Sequence, residues 1–143
     1  MTPPLGRDAI ARLLPHQGEM CLLDRVLAWD EGRIGCETAQ HASPRNPLRR
    51  DGMLPAICGV EFALQAMALH GALTAGEGRA QPAGYLSSLR EVVLEAERLD
   101  DVPGPLGITA ETLVAEARGF IYRFAVAGGG AALLRGQAAV ILP

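Results

Sequence analysis

The chain has 143 residues, a length that suits one domain with a real core rather than two domains. Apolar residues make up 49% and charged residues 20%, the mix of a soluble globular protein, and a formal charge of −3 argues against a general nucleic-acid binder. All 13 basic residues are arginines, which excludes lysine Schiff-base chemistry and a lysine-dependent phosphate loop in this sequence. Cys21, Cys36 and Cys58 are an odd number without C-x-x-C spacing, so neither a zinc ribbon nor a disulfide framework is expected, and the expected compartment is a reducing cytoplasm.

Residues 7–14 read as a short helix closed by Pro15. Cys21 to Trp29 predicts a strand, Asp30-Glu31-Gly32 a turn, and Arg33 to Ala39 the returning strand of a hairpin. His41 to Pro55 packs three prolines, a glycine and three arginines into fifteen residues, the composition of an irregular loop of functional length. From Ala56 to about residue 74 the chain is apolar on nearly every face, interrupted by Glu61, Gln65 and His70. This predicts a buried soluble helix rather than a membrane span, ended by Gly76, Gly78 and Pro82. In Gly84 to Leu99 the helical stripe Leu89, Val92, Val93, Ala96 argues for a helix by local propensity. Ile108 to Ala115, Phe120 to Ala127 and Ala131 to Leu142 predict strands, with Gly128-Gly129-Gly130 as a hairpin turn and not a phosphate loop.

Three stretches carry a family resemblance. Leu13-Leu14-Pro15-His16 followed by Met20-Cys21-Leu22-Leu23-Asp24-Arg25-Val26 resembles the opening motif of the hotdog-fold (3R)-hydroxyacyl-ACP dehydratases. Leu54-Pro55-Ala56-Ile57 with Glu61 and Gln65 resembles the start of their helix, and Phe120 to Leu142 is similar to their closing hairpin. The variant Asp51-Gly52-Met53-Leu54-Pro55-Ala56 is most similar to dehydratase-like subunits of aryl-polyene lipid pathways. The resemblance implies an α+β fold, a single hotdog domain over 1–143 in which five or six antiparallel strands wrap one central helix. It also implies that residues 84–99 form a strand despite their helical pattern.

Dehydrating a 3-hydroxyacyl thioester removes an α-proton and protonates the departing hydroxyl. The resemblance implies a histidine base and a helix carboxyl, drawn from opposite subunits of a dimer, and it lays the carboxyl position on Glu61. A glutamate on an apolar helix, costly if ionised and unpaired, is expected to have a partner or a raised pKa. The family's histidine, fourteen residues earlier, falls on Pro47, which carries no acid or base. His41, on the same loop, is the candidate substitute. His70, nine residues from Glu61, is half a helical turn out of phase and reads as structural. His16 reads as packing or entrance architecture, and Cys58 as core. Pro55, Ala56, Ile57 and Gln65 are the expected substrate-binding residues. Arg45, Arg49 and Arg50 are either a solvated cluster or a dock for an acidic carrier protein.

The expected substrate is an acyl thioester of acyl carrier protein or CoA, with no metal and no cofactor. The expected partner is a second copy or a histidine-bearing hotdog paralogue, and Glu61 is expected to face a cleft lined by the 41–55 loop. A non-catalytic acyl-binding or scaffolding pseudo-dehydratase and a hotdog thioesterase are the competing readings.

Overall fold

A computed structural model describes residues 4–16, 18–81 and 84–143. The elements in chain order are α1 (Arg7–Leu13), β1 (Arg25–Asp30), β2 (Arg33–Thr38), α2 (Gly59–Ala75), β3 (Tyr85–Leu94), β4 (Leu106–Glu116), β5 (Gly119–Gly128) and β6 (Ala131–Ile141). Single 3₁₀ turns occupy Gly18–Met20, Gln40–Ala42 and Ala56–Cys58, the last leading directly into α2. All six strands join one antiparallel sheet in the order β1-β2-β4-β5-β6-β3, curled around α2. This is the hotdog fold that the resemblance implies.

The β1–β2 hairpin forms where Asp30 Oδ1 accepts the backbone N–H groups of Gly32 and Arg33 at 2.8 and 3.1 Å. The expected strand over Cys21 to Trp29 is shorter than predicted, starting at Arg25. Cys21, Leu22 and Leu23 are buried in succession, which an alternating strand would not allow. They are docked instead by polar side chains: Gln65 Oε1 accepts the Leu22 N–H at 2.8 Å and the Thr38 hydroxyl donates to the Leu22 carbonyl at 2.6 Å. Asp24 ties the same segment to α1 and to the following loop, accepting from Arg7 at 2.9 Å, from the Gln40 amide at 2.9 Å and from the Ala39 N–H at 2.7 Å.

Most of the circumference of α2 is buried, through residues such as Phe62, Ala63, Ala66, Met67 and Leu69. Together with the preceding 3₁₀ turn the helix is long and apolar enough to cross a membrane by composition. Here, 61% of that apolar window is buried within the protein, as in the core helix of a soluble domain. Gly76, in the left-handed region at φ 72°, caps its end as the sequence predicts, whereas Pro82 lies outside the described residues.

Local propensity for a helix over 84–99 is overridden: the segment is the edge strand β3, paired with β6. Its pairing slips between Leu86 and Ser88 and again between Arg90 and Val93, where Glu91 sits at φ 53°. The facing glycine makes this possible, since a Cβ on Gly136 would lie 3.0 Å from Val92 Cγ2 and 3.0 Å from Phe124 Cζ.

Candidate active site

A cavity of about 440 Å³ opens between α2, the segment after α1 and the inner face of β3, β5 and β6. Its walls are mostly apolar, with Leu64, Met67 and Ala68 on the helix facing Leu86, Phe120, Tyr122 and Val140 on the sheet. Four residues of α2 before its last turn are not fully buried, or are only partly so, along one face. They are Glu61, Leu64, Ala68 and Gly71, and all four line this cavity.

Glu61, in the first turn of α2, is the only acidic residue among the described lining residues. Its carboxylate is exposed, so water meets the solvation demand that a buried site would have created. It makes no ion pair or side-chain hydrogen bond among the described residues. The expected cleft partner is corrected by the structure: no residue of the 41–55 loop lines the cavity, whose head is formed by Pro15, His16, Glu61 and Gln65. The loop instead folds back on itself, turning at Asp51 and Gly52 with φ of 52° and 75° and pairing Arg50 with Met53.

The remaining expected residues divide sharply. Gln65 lines the cavity, but both ends of its amide are engaged with backbone, Oε1 with Leu22 and Nε2 with the Met20 carbonyl at 2.7 Å. Pro55, Ala56 and Ile57 are not among the lining residues. Pro55 bridges to Arg98, the Ala56 N–H donates to the Glu97 carbonyl at 3.0 Å, and Ile57 is 48% exposed. Arg49 is held in the loop, its guanidinium donating to the carbonyls of Ser43, Gly52 and Ala42 at 2.9, 2.8 and 3.1 Å. Arg45 is exposed with Glu19 at 3.5 Å, and Arg50 is exposed on the turn.

The three histidines occupy three different settings. His41 is fully buried, with Nε2 3.1 Å from the Val102 carbonyl, and is not among the residues that line the cavity with Glu61. The loop therefore turns this candidate base into the core. His70 is buried between two partners: Nε2 donates to the Asp30 carbonyl at 2.8 Å, which leaves Nδ1 to accept the Tyr122 hydroxyl at 2.9 Å. Burial raises the Tyr122 pKa, while a hydrogen bond from Thr112 opposes it. His16 shares the cavity with Glu61, and its Nδ1 is buried without a hydrogen-bonding partner among the described residues. From the sequence His16 reads as packing or entrance architecture, and the structure places it on the cavity wall.

The cysteines offer no nucleophile. Burial pushes the Cys36 thiol up to about 12, and burial and the nearby Glu61 carboxylate raise that of Cys58, with Arg50 opposing. Among the described residues, no group of three or more His, Cys, Asp or Glu side chains could hold a metal ion.

One helix wrapped by six antiparallel strands, with a mostly apolar cavity along the helix and a carboxylate at its head, defines a hotdog protein. The chain belongs to the ApeP-like dehydratase family, whose model, described as ApeP dehydratase, matches residues 8–143. The dehydratase heterocomplex ApeI:P from Xenorhabdus doucetiae is similar in structure, with a TM-score of 0.82 at 22% identity over 94% of this chain and 90% of that one. S. sahachiroi AziG has a TM-score of 0.64 at 16% identity, over 92% and 98% of the two chains. Zebra fish thioesterase superfamily member 2 has a TM-score of 0.63 at 16% identity, over 94% and 91%. These likenesses show the shared fold. No curated protein sequence matches.

Proposed function

We propose that this chain is a 3-hydroxyacyl-thioester dehydratase-like subunit of fatty-acid or polyene lipid synthesis in the cytoplasm. It holds the acyl chain beside α2 and presents Glu61 to a histidine supplied by a second hotdog subunit. The observation that carries this reading is Glu61 itself, a solvent-facing carboxylate without an ion pair among the described residues, at the head of a mostly apolar cavity. In the reaction the histidine takes the α-proton, the C–O bond at the β-carbon breaks, and Glu61, entering the cycle as the carboxylic acid, protonates the departing hydroxyl; the histidine's proton then returns to the Glu61 carboxylate through solvent. The products are the 2-enoyl thioester and water.

Two observations support a partner subunit. Position 47 is an exposed proline, and β3 leaves one edge open with Tyr85, Leu86, Leu89 and Leu94 exposed along it. The likeness to a heterocomplex favours a paralogue over a second copy. Arg45 and Arg50, exposed on the surface, are the arginines left for docking an acidic carrier protein, because Arg49 is engaged with its own loop.

A second reading rests on His16, whose buried, unpartnered Nδ1 lies in the same cavity as Glu61 and would make the lone chain competent. The test is dehydration of a 3-hydroxyacyl carrier-protein thioester by the purified chain, alone and mixed with a co-encoded hotdog paralogue. The proposal expects turnover only in the mixture, lost roughly 100- to 10,000-fold in Glu61→Gln. Robust turnover by the lone chain, abolished by His16→Asn, would establish the second reading instead. Hydrolysis without dehydration would make it a thioesterase, and tight acyl binding with an unchanged rate in Glu61→Gln would make it a scaffold.

A further inference from the structure

The cavity has a second end, away from Glu61. Along the row of α2 that faces it, side-chain bulk falls from Leu64 to Ala68 to Gly71. Glycine is among the poorest residues for a helix interior, so its presence in α2 asks for a reason. At Gly59 packing supplies one, because a Cβ there would lie 2.3 Å from Leu134 Cδ2. At Gly71 packing supplies none, because a Cβ there would meet nothing within 4 Å. What Gly71 leaves is room inside the cavity.

The direction of the strands places this room. Gly59 packs on Leu134, and from Gly59 to Gly71 the helix advances about 18 Å. From Leu134 to Val140, β6 advances about 20 Å. Gly71 and Val140 therefore stand at the same end of the cavity, with Phe120 and Leu86 paired to Val140 on either side. Glu61 is about 15 Å from Gly71 along the helix, the reach of an extended dodecanoyl tail.

We infer that Gly71 sets the length of acyl chain that the cavity accepts, the thioester lying toward Glu61 and the tail ending in the space Gly71 keeps open. The inference rests on the proposed function only in taking an acyl thioester as the ligand, and it stands whether or not Glu61 is catalytic.

The test is calorimetric titration of the purified full chain with butyryl, octanoyl and dodecanoyl pantetheine thioesters. In Gly71→Leu, butyryl and octanoyl affinities stay at the wild-type value and dodecanoyl affinity falls. Each methylene refused costs roughly fourfold, so three refused methylenes give roughly 60-fold. Ala68→Leu, one turn nearer Glu61, already weakens the octanoyl thioester. An equal loss at every length, no loss at any length, or the reverse order of the two variants would overturn the inference. If Gly71→Leu melts well below wild type, Gly71→Ala decides: it must melt no lower than wild type and weaken the dodecanoyl thioester alone, or the inference fails. A wild-type chain that binds none of the thioesters overturns the acyl reading and this inference together. Normal dehydration by Glu61→Gln overturns only the catalytic reading, leaving the length ladder to be judged on its own titrations.

Discussion

Gly59→Ala is the sharpest test of how α2 is seated. The new methyl carbon would lie 2.3 Å from Leu134 Cδ2, with Cγ and Cδ1 at 3.3 and 3.5 Å. Carbon atoms rest comfortably about 3.5–4.0 Å apart, so one contact is far inside the repulsive wall. Leu134 is buried and cannot swing into solvent, so either its rotamer or the helix start must shift. Overpacking of this kind costs about 1–3 kcal/mol. Alanine returns up to about 1 kcal/mol of helix propensity, less at the first turn than in the interior. The net expectation is a loss of about 1–2 kcal/mol, or about 3–6 °C in melting temperature for a chain of this size. Gly71→Ala, which meets no neighbour, should instead gain about 0.5–1 kcal/mol. Thermal melts followed by circular dichroism, at matched protein concentration, read both. Shifts of the same sign in the two variants would refute the packing account of α2.

Three other perturbations have defined outcomes. Asp100 accepts the Leu54 N–H at 2.8 Å and pairs with Arg98, and the Arg98 hydrogen bond holds its carboxyl well below the usual carboxylate range. A depressed folded-state pKa contributes stability above the unfolded value near 4 and loses it as pH falls. Urea midpoints should therefore drop below about pH 4 in the wild type, and less steeply in Asp100→Asn. Tyr122→Phe strips His70 Nδ1 of its donor in a buried site and should cost about 1–3 kcal/mol in urea unfolding, with the native fold kept. Arg49→Lys loses the forked reach that joins three carbonyls of the 41–53 loop, and hydrogen exchange of that loop should quicken while β5 and β6 exchange as before.

The central helix and the four strands outside 21–29 and 84–99 were legible because their patterns are local: an all-round apolar run, alternation, and turns marked by Asp30 and the glycines at 128–130. The edge strand was legible only through the family resemblance, since its local pattern reads as a helix, and its bulges explain why. The pairing slips between Arg90 and Val93, so Leu89 and Val92, two residues of the helical stripe, stand three apart on a strand whose regular period is two. The site was half legible. Glu61 was singled out by the motif that resembles the dehydratases, but its cavity depends on Phe120, Tyr122 and Val140, which arrive from strands far along the chain. His41 was out of reach for the same reason, since the carbonyl that holds it belongs to Val102, sixty-one residues away.

The strand order has a consequence for how this protein is made. β3 follows the central helix in the sequence, yet it pairs within the described sheet only with β6, whose last paired residue is Ile141. During synthesis α2 is therefore complete while four of the six strands that wrap it, β3 to β6, are still to come. β4 and β5 can pair as soon as they appear, but β3 must wait for β6. Loss of the eleven residues of β6 would leave both β3 and β5 without their shared neighbour and uncover α2 along its cavity face. β6 is thus the strand that closes the core, so truncation before Ala131 should yield aggregate rather than a slightly shortened protein.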